Sequence, residues 1–178
     1  MWTSFIGFMA SGKSSLTRRL QTTTNRPAAF LDEIIVGEAD RSVAGIFTAE
    51  GEEGFRRREM AALEDLEPTR NLLVDCGGGI VQMPAAVAIL KERGVVIWLD
   101  APWDVVRARL KAAPPGERPL VDSLGWAALE ELYRLRRPLY AAAADFRLRV
   151  GELDAEQLAR TSMLRSLIWE RRREGGGR

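Results

Sequence analysis

Gly7, Gly12, Lys13 and Ser14 stand at the spacing G-x-x-x-x-G-K-S, with the apolar run Ser4 to Phe8 leading in and the amphipathic stretch Lys13 to Leu20 leading out. Such a loop can turn its backbone N–H groups inward onto a chain of phosphates, and the start of the following helix adds the positive end of its dipole. Lys13 is spaced to reach the outer phosphates, and Ser14 to offer a hydroxyl to Mg2+. Ala10, Ser11, Gly12 and Ser15 complete the candidate nucleotide-binding stretch. A glycine-containing turn that binds nothing is the plain alternative, but it has little use for a lysine at a buried strand-to-helix junction. The chain has no histidine, so proton transfer and metal binding fall to carboxylates, lysine, arginine, hydroxyls and backbone dipoles.

The elements that must hold this loop alternate along the chain. Strand-like runs recur at Ser4 to Phe8, Ala28 to Leu31, Asn71 to Val74, Val95 to Leu99 and Phe146 to Val150. Helical spacing fills Lys13 to Leu20, Ile34 to Phe47, Phe55 to Leu66, Pro84 to Arg93, Trp103 to Lys111, Trp126 to Ala144 and Asp154 to Trp169. This alternation predicts an α/β fold with a five-stranded parallel sheet covered by helices. The Pro-rich polar segment at 112–124 reads as an exposed, mobile loop, and 171–178, charged and then glycine-rich, as a fraying tail. With 178 residues, one domain over 1–170 is expected.

Lys+Arg 26 against Asp+Glu 25 leaves almost no net charge. The basic runs "FRRRE" and "WERRREGGGR" are short and interleaved with acid, so solvated helix faces explain them better than nucleic-acid binding. No apolar run approaches the roughly 20 residues needed to span a bilayer. One cysteine, Cys76, allows no intrachain disulfide, and the stretch before Gly7 is short for a signal peptide; cytoplasm is the expected compartment.

Further along lie "DEII" followed by "SVAGIF", then "GEEGFRRRE", "CGGGIV", "ERPLV" and "RRPLYAAAAD". With "GFMASGKSS", and in this order and spacing from Gly7 to Asp145, they make the chain resemble the shikimate kinases, small P-loop kinases with a five-stranded parallel sheet. The resemblance implies ATP and Mg2+, a small carboxylated triol as acceptor, and a lid that closes over the nucleotide. It implies that Arg56 and Arg136 grip the acceptor's carboxylate, a task suited to planar, always-charged guanidinium groups. For any one of 26 basic residues, surface charge is the ordinary reading. Gly77, Gly78 and Gly79 would line the acceptor site, with Gly78 the best candidate for direct contact; three glycines let a ligand approach the backbone closely. Arg118 corresponds to the lid arginine that supports the transferring phosphoryl group. Lys111 stands where a second lid arginine often lies, keeping the charge without the fork. Asp32 corresponds to the carboxylate that holds the acceptor hydroxyl and accepts its proton.

The chain departs from the family's Asp-x-Asp pattern. Its first aspartate, which serves the metal, falls on Phe30, and a glutamate usual after the isoleucine is replaced by Val36. "NLLVDCGGG" places an acidic Asp75 where a small neutral residue is more usual. An apolar strand ending in aspartate is how many P-loop proteins hold Mg2+ opposite the cradle hydroxyl. We therefore expect the metal-side carboxylate to have moved from the second strand to the third, with Ser14 and Asp75 as the metal residues; an ordinary hydrogen bond at Asp75 with weakened metal binding is the alternative. Ala10 replaces a common glycine and Ser15 a usual threonine, both harmless provided residue 10 has negative φ.

The expected activity is ATP-dependent phosphorylation of a hydroxyl on a small carboxylated polyol, the 3-hydroxyl of shikimate before others, by a monomer with no nucleic-acid or membrane partner. Two alternatives stand: a kinase for another sugar acid such as gluconate, and a nucleotide-binding module that has lost catalysis, for which Phe30 is the main argument.

Overall fold

A computed structural model describes the backbone of residues 1–113 and 119–175. Its strands are β1 (Trp2–Ile6), β2 (Ala28–Phe30), β3 (Leu73–Asp75), β4 (Gly94–Asp100) and β5 (Phe146–Arg149). They form one sheet in the order β2-β3-β1-β4-β5, every neighbouring pair parallel. The α/β reading therefore holds. Every residue of β4 is buried, as expected where helices cover a parallel sheet on both faces and the strands run apolar instead of alternating. Burial of side chains such as Phe5, Ile6, Leu73 and Ile97, each worth about 1.5–3 kcal/mol, drives the sheet and its helices together.

The helices are α1 (Lys13–Thr24), α2 (Leu31–Ala39), α3 (Val43–Glu64), α4 (Pro84–Arg93), α5 (Trp103–Ala112), α6 (Pro119–Ala143) and α7 (Ala155–Gly175). β1 starts and ends two residues earlier than its apolar run suggests. Gly7, at φ 148, leaves the strand, and the Gly7 and Phe8 carbonyls turn to the lysine of the cradle. β3 starts later than predicted because Asn71 is left-handed at φ 60 and cannot extend the strand. The predicted helix at Ile34 to Phe47 is two helices. Asp40, left-handed at φ 49, ends α2, and the Ser42 hydroxyl caps α3 by accepting from Gly45 N at 3.1 Å. Gly51 then kinks α3 at φ 71.

α7 runs past Trp169, where the sequence predicts its end, to Gly175. Arg173 stacks over the Trp169 ring and donates to the Glu92 carbonyl at 3.1 Å, which ties the charged stretch to the body. Among the described residues no helix is long and apolar enough to cross a membrane. Since all strands run one way, the loops after β1, β2, β3 and β5 share one rim, and chemistry gathers there.

Candidate active site

The turn from β1 into α1 builds the cradle. Gly12, at φ 101, precedes the first helical residue, and Leu16 N donates to Gly12 O at 3.0 Å, so the first amides of α1 point into the loop. Lys13 is 8% exposed and its Nζ donates to Gly7 O at 3.0 Å and Phe8 O at 3.2 Å. The ammonium is thus held over its own loop by carbonyls that a phosphate can exchange with. Ala10 departs from expectation: its φ is 58, in the left-handed region, where an L side chain is strained. The negative φ on which its harmlessness was conditional is not there. Arg109 of α5 braces the loop instead, Nη1 donating to Ala10 O at 3.0 Å.

A cavity of about 830 Å³ opens over the cradle. Asp32, Asp75, Gly78, Arg109 and the segment after β5 (Gly151, Leu153, Asp154) line it, together with Ala10 to Ser15 of the cradle itself. Lys111 is not among its lining residues; its ammonium sits over the Trp126 ring at 5.7 Å. Arg118 lies outside the described residues.

Asp75 ends β3 in register with Phe30 of β2 and Phe5 of β1. It is 8% exposed and its Oδ1 has no hydrogen-bond partner among the described residues. Burial pushes its carboxyl up, against the pull of Lys13 and the Ser14 hydroxyl. Phe30 is itself buried, with the Arg18 guanidinium 4.3 Å from its ring centre. The position on β2 where a metal-side carboxylate was expected is therefore apolar, and its neighbour on β3 carries the acid.

Arg56 comes from the middle of α3 and Arg136 from α6, far apart in the chain. Both converge on one carboxylate oxygen, Glu52 Oε1, which is 3.2 Å from Arg56 Nη2 and 3.5 Å from Arg136 Nη2. Arg136 is 3% exposed, and the Nε atoms of both arginines lack partners among the described residues. Burial lowers the Arg136 pKa. Sequence reasoning missed Glu59, which is fully buried and pairs with Arg56 Nη1. Burial pushes Glu59 up, opposed chiefly by Arg56. Its signal was present, since Arg56 and Glu59 stand i,i+3 on one helix face. Arg109 and Glu52 were missed as well.

The triple glycine has a structural use that differs from the one expected. A Cβ on Gly79 would fall on the Arg56 guanidinium, and one on Gly77 would strike Glu59 Oε1 and lie 3.0 Å from Asp32 Oδ1. Glycine here makes room for charged side chains of the protein to pass close to the backbone. Gly78 backs onto the cradle, 3.3 Å from a Cβ position to Met9 N, and its carbonyl accepts from the Tyr140 hydroxyl. Asp32, exposed in the first turn of α2, thus stands between the phosphate cradle and the Arg56–Glu59 pair.

A phosphate cradle on β1, a buried acid on β3 and a five-stranded parallel sheet in this order define a P-loop phosphotransferase. Comparison with known proteins makes that class particular. The family model described as "Shikimate kinase" matches residues 9–166, and the chain belongs to the shikimate kinase family. It is 39% identical to the shikimate kinase of Symbiobacterium thermophilum over 146 residues, 80% of this chain and 83% of that one. It is 40% identical to that of Synechococcus sp. over 156 residues, 86% and 81% of the two chains. Among solved structures, the shikimate kinase of Acinetobacter baumannii in complex with shikimate superposes with a TM-score of 0.83 at 28% identity, covering 91% of this chain and 90% of that chain.

Proposed function

We propose that the protein transfers the terminal phosphoryl group of ATP to the 3-hydroxyl of shikimate, giving 3-phosphoshikimate and ADP. The observation that carries this reading is the convergence of Arg56 and Arg136 on one carboxylate oxygen, beside Gly79 and across from the cradle. Two guanidinium groups held that way select a carboxylate-bearing acceptor. Membership of the family narrows the acceptor to shikimate.

Lys13 exchanges its loop carbonyls for the outer phosphates of ATP, and the loop amides hold the chain of phosphates in line. Arg56 and Arg136 fix the acceptor's carboxylate, so that its hydroxyl lies against Asp32. The acceptor oxygen forms a bond to the terminal phosphorus as the bond to the ADP oxygen breaks. Asp32 accepts the hydroxyl proton late, because phosphoryl transfer depends mainly on position and electrostatics. Arg118 stabilises charge on the transferring oxygens, with Arg109 braced against the cradle at Ala10 O.

Asp75 and Ser14 fit a hydrated divalent cation. A buried carboxylate oxygen lacks a partner, a cradle hydroxyl is near it, and among the described residues no cluster of three or more acidic or sulfur ligands exists. That sparse donor set suits Mg2+, which keeps most of its waters and takes the rest from phosphates. When bound, the ion neutralises charge on the phosphate oxygens. Both halves of the site come from one chain, so a single copy carries every group needed to act on a small molecule. The test is ADP release followed with shikimate and with gluconate in parallel. Turnover dependent on shikimate supports the reading; turnover with gluconate alone replaces the acceptor.

A further inference from the structure

In the free protein the two acceptor arginines already hold a carboxylate, supplied by the chain itself. Arg56 divides its guanidinium between two partners, Nη1 to the fully buried Glu59 and Nη2 to Glu52, which is 49% exposed. For Arg136, itself 3% exposed, Glu52 at 3.5 Å is the carboxylate within 4.0 Å among the described residues. The inner partner is locked in the interior, while the outer one reaches in from solvent.

We infer that Glu52 is an internal stand-in for the acceptor's carboxylate: it occupies Arg56 and Arg136 in the free protein and leaves them when the acceptor binds. The inference rests on the acceptor reading above. Placement supports it, because Glu52 is the first residue after the Gly51 kink. Gly51 has φ 71 and ψ −176, and a Cβ there would meet nothing within 4 Å. Glu50 on the near side of the kink is tied by two hydrogen bonds, of 2.9 and 2.8 Å, to Arg58. The bend is thus fixed from the outside, and Glu52 is left at the rim with solvent to turn into. Chemistry supports it too. Glu52 Oε1 takes the Nη2 donors of both arginines, so an acceptor carboxylate placed between those same Nη2 groups competes with it. Glu59 keeps Arg56 paired after Glu52 has gone, which is why removing the outer carboxylate does not leave that arginine without a partner.

The opposing account makes Glu52 a clamp that holds the arginines in place, and it predicts the opposite sign. Calorimetric titration of the wild type and Glu52→Gln with shikimate, gluconate and the methyl ester of shikimate separates the two. Release of the half-exposed Glu52 from the arginines is expected to tighten carboxylate binding about two- to fivefold. The methyl ester, having no charge to place between the arginines, should bind both forms equally. Equal or weaker binding of the free acid to Glu52→Gln overturns the inference, as does an equal gain for the ester. If the wild type binds gluconate and not shikimate, the acceptor assignment falls and the same ratio is read on gluconate. Binding of neither acid to either form overturns both. Glu52→Ala, checked for an unaltered melting temperature, repeats the comparison without the amide.

Discussion

Phe30 and Asp75 are register partners on β2 and β3, so an acid missing from the end of one strand is present at the end of the next, one interstrand spacing of about 4.8 Å away. The cost of that placement is visible in the burial that raises the Asp75 pKa. For a carboxyl raised in the folded state, the fold retains a proton that the unfolded chain has lost. Stability from this group therefore falls as pH rises from the ordinary aspartate value of 3.8 through the folded value, and stays reduced above it. Asp75→Asn should flatten that fall and raise the melting temperature at pH 7, by about 2–4 °C for each kcal/mol gained, while increasing the Mg2+ concentration needed for half-maximal turnover. A melting curve that loses stability, with an unchanged Mg2+ titration, would show Asp75 to be a structural residue. At the acceptor end, Arg136→Lys keeps the charge and loses the fork. Charge-assisted hydrogen bonds are worth about 1.5–3 kcal/mol, so kcat/KM for the acceptor should drop roughly 10- to 100-fold with the KM for ATP little changed.

At the scale of elements, the β1–α1 turn holds a residue that its conformation disfavours. Ala10 sits at φ 58, and Ala10→Gly should stabilise the protein by about 1 kcal/mol, since relief of left-handed strain exceeds the extra chain entropy of glycine. Thermal denaturation checks this; a lower melting temperature would mean that the alanine methyl packs usefully. The cradle was legible in the sequence because all its groups lie within eight residues between a strand and a helix. Its backbone conformation was not, because the sign of φ at residue 10 depends on how the loop closes on Lys13 and Arg109. Helix ends were misplaced where local turn chemistry, at Asp40, Ser42 and Gly51, overrode an apolar periodicity that runs through them. Arg56 and Arg136 were singled out through the resemblance. Glu52 and Glu59 were hidden because a glutamate three or four residues from an arginine on a helix ordinarily marks a solvated surface pair. Burial alone distinguishes Glu59, and burial is a property of the assembled fold.

Across the whole molecule, parallel strands bring the ends of β1, β2, β3 and β5 to one rim, so the groups proposed to bind phosphate and those proposed to bind the acceptor's carboxylate meet at the triple glycine. Gly79 lets Arg56 cross the backbone, and Gly78 packs against the cradle, so the two halves of the site meet directly. Occupation of one half should therefore be felt at the other: a nucleotide and the acceptor together should raise the melting temperature by at least the sum of their separate effects. A combined shift below that sum would indicate two sites that exclude each other. The central claim, that a phosphate cradle and a guanidinium-lined hollow act on one small acid alcohol, is tested most directly by incubating the protein with ATP, Mg2+ and shikimate and following phosphorus by NMR. One phosphomonoester on the shikimate 3-oxygen for each ADP formed, and negligible ADP without shikimate, is the predicted result. ADP and free phosphate appearing at the same rate with and without shikimate would contradict it.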